Sequence, residues 1–273
     1  MNLKIILILS LSHLITDITG SALPAMMPFL KSTLHLSYTA VGAVIMVSNM
    51  TSSIIQPLFG YLSDKMEVKW FLPVSIVLTC VGFSFVGLAP SFLVLVILVT
   101  LNGIGIALYH PEGSKIMHYF SGSRMATGMS FFQVGGNLGM ALGPLFITYA
   151  IALADLSGTL FYLLLGIPMF GILLLFLKEL TLRGKGEKSE YREKKGALPS
   201  VGENGGWGSM SLLVFAVSMR SWAHMGLITF VPFYYIHVLK GDAITAGRLV
   251  FVFLMGGGGG HVDRGPHCGQ DWT

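Results

Sequence analysis

Long, uninterrupted apolar segments are the feature of this sequence that most restricts its fold. A helix that crosses the hydrocarbon core of a bilayer needs about 20 apolar residues. Seven segments reach that length, and an eighth begins near Thr245. The seven cover residues 4–24, 40–62, 71–89, 92–112, 126–153, 159–178 and 210–236. Only 11% of the residues are charged, whereas soluble domains carry about 25%. The predicted class is therefore all-α, a polytopic bundle of membrane helices in a lipid bilayer.

The N-terminus and the distribution of positive charge predict how the chain lies in the membrane. The first segment could be a cleaved signal peptide, but further apolar segments follow at once, so we interpret it as a retained first helix. Most loop lysines and arginines fall on one side when the N-terminus is cytoplasmic, as the positive-inside rule requires. They are Lys65, Lys69, Arg124 and the basic residues of 179–208, against Lys31 and Lys240 outside. The net charge of +4 then reports orientation and not binding of nucleic acid. We expect a multi-pass monomer of the plasma (inner) membrane.

Three successive parts are predicted along the chain. Residues 1–178 form a bundle of six transmembrane helices, and residues 179–208 form a polar, basic, cytoplasmic linker. Residues 209–273 begin a second bundle that repeats the first. Its "FVPFYY" matches "MMPFL" of the first segment, and its "ITAGR" matches "YTAVG" of the second segment.

The end of the chain departs from this repeat. Thr39 and Gly60 are 21 positions apart in the first half, but their counterparts Thr245 and Gly259 are 14 apart. Five consecutive glycines occupy the end of the eighth segment, and each costs about 1 kcal/mol in a helix interior. We predict that this segment does not span as a regular helix and that the tail is a truncated or internally deleted end. A glycine-rich linker to a soluble tail is the alternative.

The stretch "GYLSDKMEVKWFL" resembles the signature loop of the major facilitator superfamily. That loop reads Gly-x-x-x-Asp-Arg/Lys followed by basic residues, and Gly60, Asp64, Lys65 and Lys69 match it. Glu67 stands where the family has a second glycine. Three further stretches resemble the fosmidomycin resistance protein group: "HLITDITGSALPAMMPFLK", "LYHPEGSK" and "FFQVGGNLGMALGPL". The resemblance covers residues 10–180 well and 210–250 moderately.

This resemblance implies a fold and a function. The fold is a complete first six-helix half plus one to two helices of the second. The function is secondary transport by alternating access, with proton-coupled export of a small drug-like or polar metabolite. The implied partners are a small-molecule substrate and protons, and no cofactor is expected. An enzyme is not expected, because no nucleophile–base pair or metal cluster occurs in the apolar segments. The alternative is a non-functional truncated product of a disrupted transporter gene.

An acid within the first apolar segment is the predicted proton-coupling site. Asp17 follows Lys4 by thirteen positions, or about 20 Å along a helix. Desolvation penalises a charged carboxylate, so an acid at this depth can take up a proton. His13 lies four residues earlier on the same helical face and could share the proton. A purely structural hydrogen bond is the alternative for Asp17.

The signature loop supplies the predicted inner gate. The resemblance assigns the gating role to Gly60, Asp64, Lys65 and Lys69. Glu112, near the inner end of the fourth segment, is a further candidate as a gate or capping partner. The family also has an arginine in the fourth helix, which would fall near Val99 and is absent here. A plain solvated turn is the alternative for Asp64 and Lys65.

Polar residues in the apolar segments are candidates for a substrate cavity. They are Asn49, Gln56, His110, Gln133, Asn137, Arg220 and His224. Gly135, Gly139, Gly143 and Pro144 form a small-residue face suited to close helix packing; the face also resembles, incompletely, an exporter motif of the superfamily. Single interhelical hydrogen bonds are the alternative for the polar side chains. We expect no metal site, because the spacing of His110, Glu112 and His118 fits no standard zinc motif and Pro111 is expected to break the helical face.

Overall fold

The computed structural model describes residues 2–65, 70–180 and 207–262, and these residues are helical, with no strand among them. This confirms the predicted all-α class. The principal helices, numbered in chain order, are α1 Leu3–Thr33, α2 Tyr38–Ile54, α3 Gln56–Lys65, α4 Phe71–Ser84, α5 Phe92–Ser121, α6 Met125–Ala154, α7 Tyr162–Leu175, α8 Trp207–Phe233 and α9 Ala243–Val262.

Six helical stretches in the described residues are long and apolar enough to cross a membrane. They are Leu3–Thr33, Tyr38–Lys65, Phe71–Leu88, Phe92–Ser121, Met125–Leu175 and Met210–Val238. The stretch Met125–Leu175 contains both α6 and α7, which are separated by a 3₁₀ segment from Asp155 to Phe161. Ala243–Gly256 is a shorter apolar helix. The protein is therefore a multi-pass membrane protein.

Helices α1–α7 make the first six crossings, with α2 and α3 together forming one of them. These crossings bring residues 2 and 179 to the same end of the bundle. The backbone N–H of Asn2 donates to the carbonyl of Phe120 at 3.0 Å, and its side chain donates to Glu179 at 3.4 Å. The ammonium of Lys4 lies 4.2 Å from the ring centre of Phe176. We call this the N-terminal end, and the other the distal end. An even number of crossings follows from the shared end.

Prolines shape several spans without ending them. The second span divides at Ile55, between α2 and α3, because Pro57 has no N–H to donate to the preceding turn. α5, by contrast, continues through Pro111 to Ser121. The prediction that Pro111 breaks this helix is therefore wrong. Membrane helices tolerate proline because neighbouring groups satisfy the freed carbonyl.

The glycine run near the end of α9 is also helical. α9 continues through Gly256–Gly260 to Val262, but its apolar part, Ala243–Gly256, is not among the six described stretches long enough to span, so the prediction that this segment does not span as a regular helix stays a prediction. In lipid, a backbone that leaves the helix loses hydrogen bonds worth several kcal/mol per group, which outweighs the propensity cost of about 1 kcal/mol per glycine. Residues 263–273, Lys69 and most of the predicted linker, 181–206, lie outside the described residues.

Close contact between α1 and α6 organises the first half. A Cβ added at Gly135 would collide with the Ser10 carbonyl, and one at Gly139 would collide with the Leu14 carbonyl. One at Gly143 would lie 2.5 Å from the Ile18 carbonyl. The glycines and the carbonyls they face both recur every four residues, so the two helices run parallel in register. Small residues allow this approach, which gives dispersion contacts between backbones.

The second half contacts the first mainly at the distal end. Gly247 of α9 packs against α6, where an added Cβ would lie 3.0 Å from the Pro144 carbonyl. Tyr38 and Phe233 meet edge to face with ring centres 5.6 Å apart. Towards the N-terminal end, Met210 and Trp222 of α8 are 65% and 71% exposed. The halves thus diverge towards the N-terminal end.

The α1–α6 contact predicts the effect of adding one methyl group. Gly139→Ala places a carbon against the Leu14 backbone, which cannot move without shifting α1, and should reduce the unfolding free energy by about 1–3 kcal/mol. Gly171→Ala in α7 is the control, because nothing lies within 4 Å of its Cβ. It should be neutral or stabilising by up to about 1 kcal/mol through helix propensity. Denaturation of both purified variants in detergent compares them, and equal stability would contradict the packing account.

Candidate functional site

A cavity of about 530 Å³ lies between the first six-helix half and α8–α9. Its walls come from α1, α2, α3, α5, α6, α8 and α9. Among the predicted site residues, those that line it are His13, Asp17, Asn49, Gln56, His110, Gln133 and His224. The structure therefore brings the predicted proton-coupling pair and most of the predicted cavity residues into one space.

Asp17 is held between two imidazoles. Its Oδ2 lies 3.2 Å from Nε2 of His13, one turn earlier on α1. Its Oδ1 lies 3.4 Å from Nε2 of His110 on α5. The side chains of Asp17, His13 and His110 are 12%, 4% and 26% exposed, so His110 is the member most open to the cavity.

The position of His13 is fixed by α6. Its Nδ1 lies 2.7 Å from the carbonyl oxygen of Phe132, and its ring stacks on the Phe132 ring with centroids 4.0 Å apart. Gly136 leaves room for the pair, since a Cβ there would lie 2.7 Å from His13 Nε2 and 2.8 Å from Asp17 Oδ2. A side chain at position 136 would displace the pair.

The same three side chains bring several lone pairs together. Their nitrogen and oxygen ligand atoms lie within 4.8 Å of one another, so they could share a small cation, whether a proton or a divalent ion. The sequence pattern pointed to His13 and Asp17, four residues apart on one helix. It could not place His110, whose approach depends on how α5 packs against α1.

A second polar cluster lies where α3 meets α5. Lys115 Nζ is 2.8 Å from Glu112 Oε2, and the two side chains are 18% and 9% exposed. Ser63 donates a short hydrogen bond to Glu112. Lys115 also donates to the Ser63 carbonyl at 2.8 Å. The cluster ties the last turn of α3, where the signature loop begins, to α5.

The other predicted gating residues lie beside this cluster. Gly60 faces α5, where an added Cβ would lie 3.6 Å from Cβ of Pro111. Asp64 is exposed, and Lys65 places its ammonium 4.5 Å from the ring centre of Tyr61. Sequence reasoning named Glu112 but missed Lys115, although the spacing of three residues is one that pairs charges on a helix.

Two predicted cavity residues lie outside the cavity lining. Arg220 is exposed on α8. Asn137 accepts a hydrogen bond from Gln133 at 3.3 Å, a contact within α6 and not the interhelical bond that was the alternative for this pair. The gap between the halves, and not the helical face alone, decides which polar side chains reach the cavity.

Two interhelical contacts were not predicted at all. Asn102 donates to Thr19 at 3.0 Å and to the Thr79 carbonyl at 2.9 Å, so it joins α5 to α1 and α4. Arg248 of α9 donates to the Tyr149 hydroxyl of α6 at 2.6 Å. This second bond joins the two halves at the distal end.

The distal start of α9 is capped by Asp242. Its carboxylate accepts from the backbone N–H of Thr245 at 2.8 Å. Side-chain and backbone hydrogen bonds from Thr245 hold the pKa of Asp242 below its usual range. The cap fixes where α9 begins and therefore the positions of Gly247 and Arg248 along the helix axis relative to α6.

Comparison with known proteins gives a family and several relatives. The profile of the Major Facilitator Superfamily matches residues 9–267. An uncharacterized MFS-type transporter, YfnC, of Bacillus subtilis (strain 168) is 28% identical over 263 residues, which cover 96% of this chain and 64% of that protein. The fosmidomycin resistance protein of Escherichia coli (strain K12) is 38% identical over 144 residues, covering 53% of this chain and 36% of the relative. The putative multidrug resistance protein MdtD of Salmonella paratyphi B is 32% identical over 131 residues, covering 47% and 27% respectively. The chain thus spans less than two thirds of the length of these relatives.

The Glu112–Lys115 pair predicts a non-additive response to mutation. Lys115→Met leaves the buried Glu112 carboxylate without its counter-charge, which should lower the unfolding free energy by about 3–5 kcal/mol. The double variant Glu112→Gln/Lys115→Met removes both charges and retains a partner for Ser63, so it should be closer to wild type. Detergent denaturation of the three proteins measures the coupling, and a double variant at least as unstable as Lys115→Met would refute it.

Proposed function

The chain belongs to the Major Facilitator Superfamily, and from this premise we propose that it is a secondary transporter that exports a small drug-like or polar compound in exchange for protons. Asp17 carries the exchanged proton, and His13 assists it. The protein is a transporter and not an enzyme. No cofactor takes part in the cycle.

One observation carries this proposal: a carboxylic acid faces the cavity between the two halves. Of the described residues that line the cavity, Asp17 is the only acid. Ionisable groups at membrane depth are costly and mark ion or substrate pathways. When Asp17 binds a proton, it loses its negative charge in the cavity that also holds the substrate. Binding of the substrate can therefore depend on release of the proton, and binding of the proton on release of the substrate.

The shape of the bundle supports alternating access. At the distal end the halves are joined by the Arg248–Tyr149 hydrogen bond and the Tyr38–Phe233 contact. Rocking one half against the other would break these contacts and bring α8 towards the first half at the N-terminal end. The Ser63–Glu112–Lys115 cluster keeps the start of the signature loop in place during that motion, and the loop forms the inner gate.

The choice of substrate class rests on the cavity and on the relatives. A volume of about 530 Å³ falls in the range of drug-sized ligand sites. Amide and hydroxyl groups face it beside apolar ones. The similarity to a fosmidomycin resistance protein makes fosmidomycin the first compound to test.

The arrangement in the membrane follows from charge. We place the protein in the plasma (inner) membrane as a monomer, with the N-terminal end cytoplasmic. Residues 179–208 are then a cytoplasmic linker between the bundles 1–178 and 209–273. The basic residues at the N-terminal end, compared with Lys31 and Lys240 at the distal end, favour this orientation. They include Lys4, Lys65, Lys115 and Arg124.

A non-functional product is the less favoured alternative. The family match runs through the glycine run to residue 267, and α9 is helical there. Neither finding favours a disrupted or internally deleted end. The activity of the chain as it stands is decided by the transport assay below.

The proposal predicts proton-driven movement of fosmidomycin in vesicles. The full chain, reconstituted in liposomes, should move labelled fosmidomycin against its gradient when protons flow the other way. Asp17→Asn keeps the size of the side chain but cannot exchange a proton, so flux should fall to the level of protein-free liposomes. Asp242→Asn is the matched control and should keep wild-type flux, because asparagine also caps a helix.

Two results would contradict this proposal. Wild-type protein without fosmidomycin flux would remove the substrate assignment. Proton-driven flux that is unchanged in Asp17→Asn would remove Asp17 from the coupling role.

A further inference from the structure

His13 and Asp17 are arranged so that they must share a proton. The Phe132 carbonyl can only accept a hydrogen bond, so the Nδ1 of His13, 2.7 Å away, donates to it. In the neutral ring, Nε2 then carries a lone pair, and it faces Asp17 Oδ2 at 3.2 Å. A carboxylate oxygen is also an acceptor. Two acceptors at this distance attract each other only when a proton lies between them.

That shared proton lies at the buried edge of the cavity. The His13 side chain is 4% exposed, and its ring is stacked on Phe132 at 4.0 Å and on Tyr109 at 5.8 Å. Tyr109 is itself fixed by a hydrogen bond of 2.8 Å to the Leu9 carbonyl. The imidazole of His13 is therefore much less accessible than that of His110, and its proton serves as a fixed counter-charge for one side of Asp17.

His110 has the opposite surroundings. Its side chain is 26% exposed and lines the cavity, while its Nε2 lies 3.4 Å from the second oxygen of Asp17. The ring contacts His13 edge-on at 5.2 Å and Tyr109 at 6.0 Å, so it covers the inner pair. His110 is therefore the more accessible of the two imidazoles through which Asp17 can exchange a proton with the cavity.

We propose that His110 is the relay through which Asp17 exchanges its proton with the cavity, whereas His13 retains its own proton throughout the cycle. The inference rests on the proposed function and deepens it. In the loading step, cavity water delivers a proton to Nδ1 of His110. The proton already on Nε2 passes to Oδ1 of Asp17. His110 returns to neutrality with its tautomer reversed, and Asp17 becomes a neutral acid. The reverse steps release the proton.

Few other titratable groups face this relay. α1 contributes His13 and Asp17, and α8 contributes His224, which stacks on Phe253 at 5.3 Å. The described cavity lining of α2, α3 and α6 contains amide, hydroxyl and apolar side chains but no titratable ones. On α5 itself, Tyr109 contacts the His110 ring and donates to the Leu9 carbonyl, and Glu112 and Lys115 bind each other and Ser63. The pH dependence of exchange is therefore assigned to His110 and Asp17 together.

The test separates relay from mere structural support. His110→Gln keeps an N–H that can donate to Asp17 but cannot accept one proton while releasing another. In liposomes it should lose proton-driven fosmidomycin flux and the dependence of flux on pH. It should retain exchange of labelled for unlabelled fosmidomycin without a proton gradient, because that exchange needs no proton transfer. His35→Gln, at an exposed loop position, should match wild type in both assays.

A second readout does not depend on transport. Diethyl pyrocarbonate modifies unprotonated imidazoles, and peptide mass spectrometry locates the product. His110 should react and His13 should be protected in the folded protein. Asp17→Asn should change the pH profile of His110 modification and leave that of His224 unchanged.

The two readouts distinguish failure of the relay from failure of the transporter. If wild type does not carry fosmidomycin but the modification pattern is as expected, the relay stands and the substrate assignment falls. A wild-type pH profile of flux in His110→Gln would overturn the relay. Modification of His13 as fast as His110, or a His110 profile insensitive to Asp17→Asn, would also overturn it.

Discussion

The close approach of α1 and α6 is the contact on which the rest of the structure depends. Glycines on α6 remove the side chains that would hold the two backbones apart, and the facing carbonyls of α1 occupy that space. The same register places Gly136 beside His13 and Asp17, so that one helix supplies the acid while the other supplies the room and the carbonyl that orients the imidazole. Without this approach His13 would lose the carbonyl that orients it towards Asp17, and a carboxylate at membrane depth without a well-placed partner would be far more costly.

The acids Asp17 and Glu112 each lie in a polar cluster, and the two clusters have different tasks. Asp17 and its histidines face the cavity, where a change of charge is felt by anything bound there. Ser63, Glu112 and Lys115 lie between α3 and α5 and bind one another, and none of them lines the cavity, so we assign them a structural task at the start of the loop. In a bilayer each group must find its partners inside the protein, which explains why polar side chains collect at these two places.

Sequence alone predicted the helical class, the spans and most of the residues that reach the cavity, because segment length and four-residue spacing are local properties. The departures from expectation at proline and glycine have a common cause. The predictions for proline and glycine used the helix propensities that these residues show in water. In the structure, α5 passes through Pro111 and α9 through Gly256–Gly260, because lipid offers the backbone no other hydrogen-bond partner. His110 and Asn102 could not be placed because their partners lie on other helices. Tertiary packing decides such pairs, and no spacing within one helix reveals them.

The proposed transport mechanism requires Asp17 to change its protonation state within the folded bundle. Infrared difference spectra of the reconstituted protein, recorded between alkaline and acidic buffer, report the carbonyl band of a carboxylic acid directly. The account predicts a band in the full chain that is missing from Asp17→Asn and is altered when His13 or His110 is replaced by glutamine. Identical difference spectra for the full chain and Asp17→Asn would show that this acid does not exchange its proton, and would contradict the account.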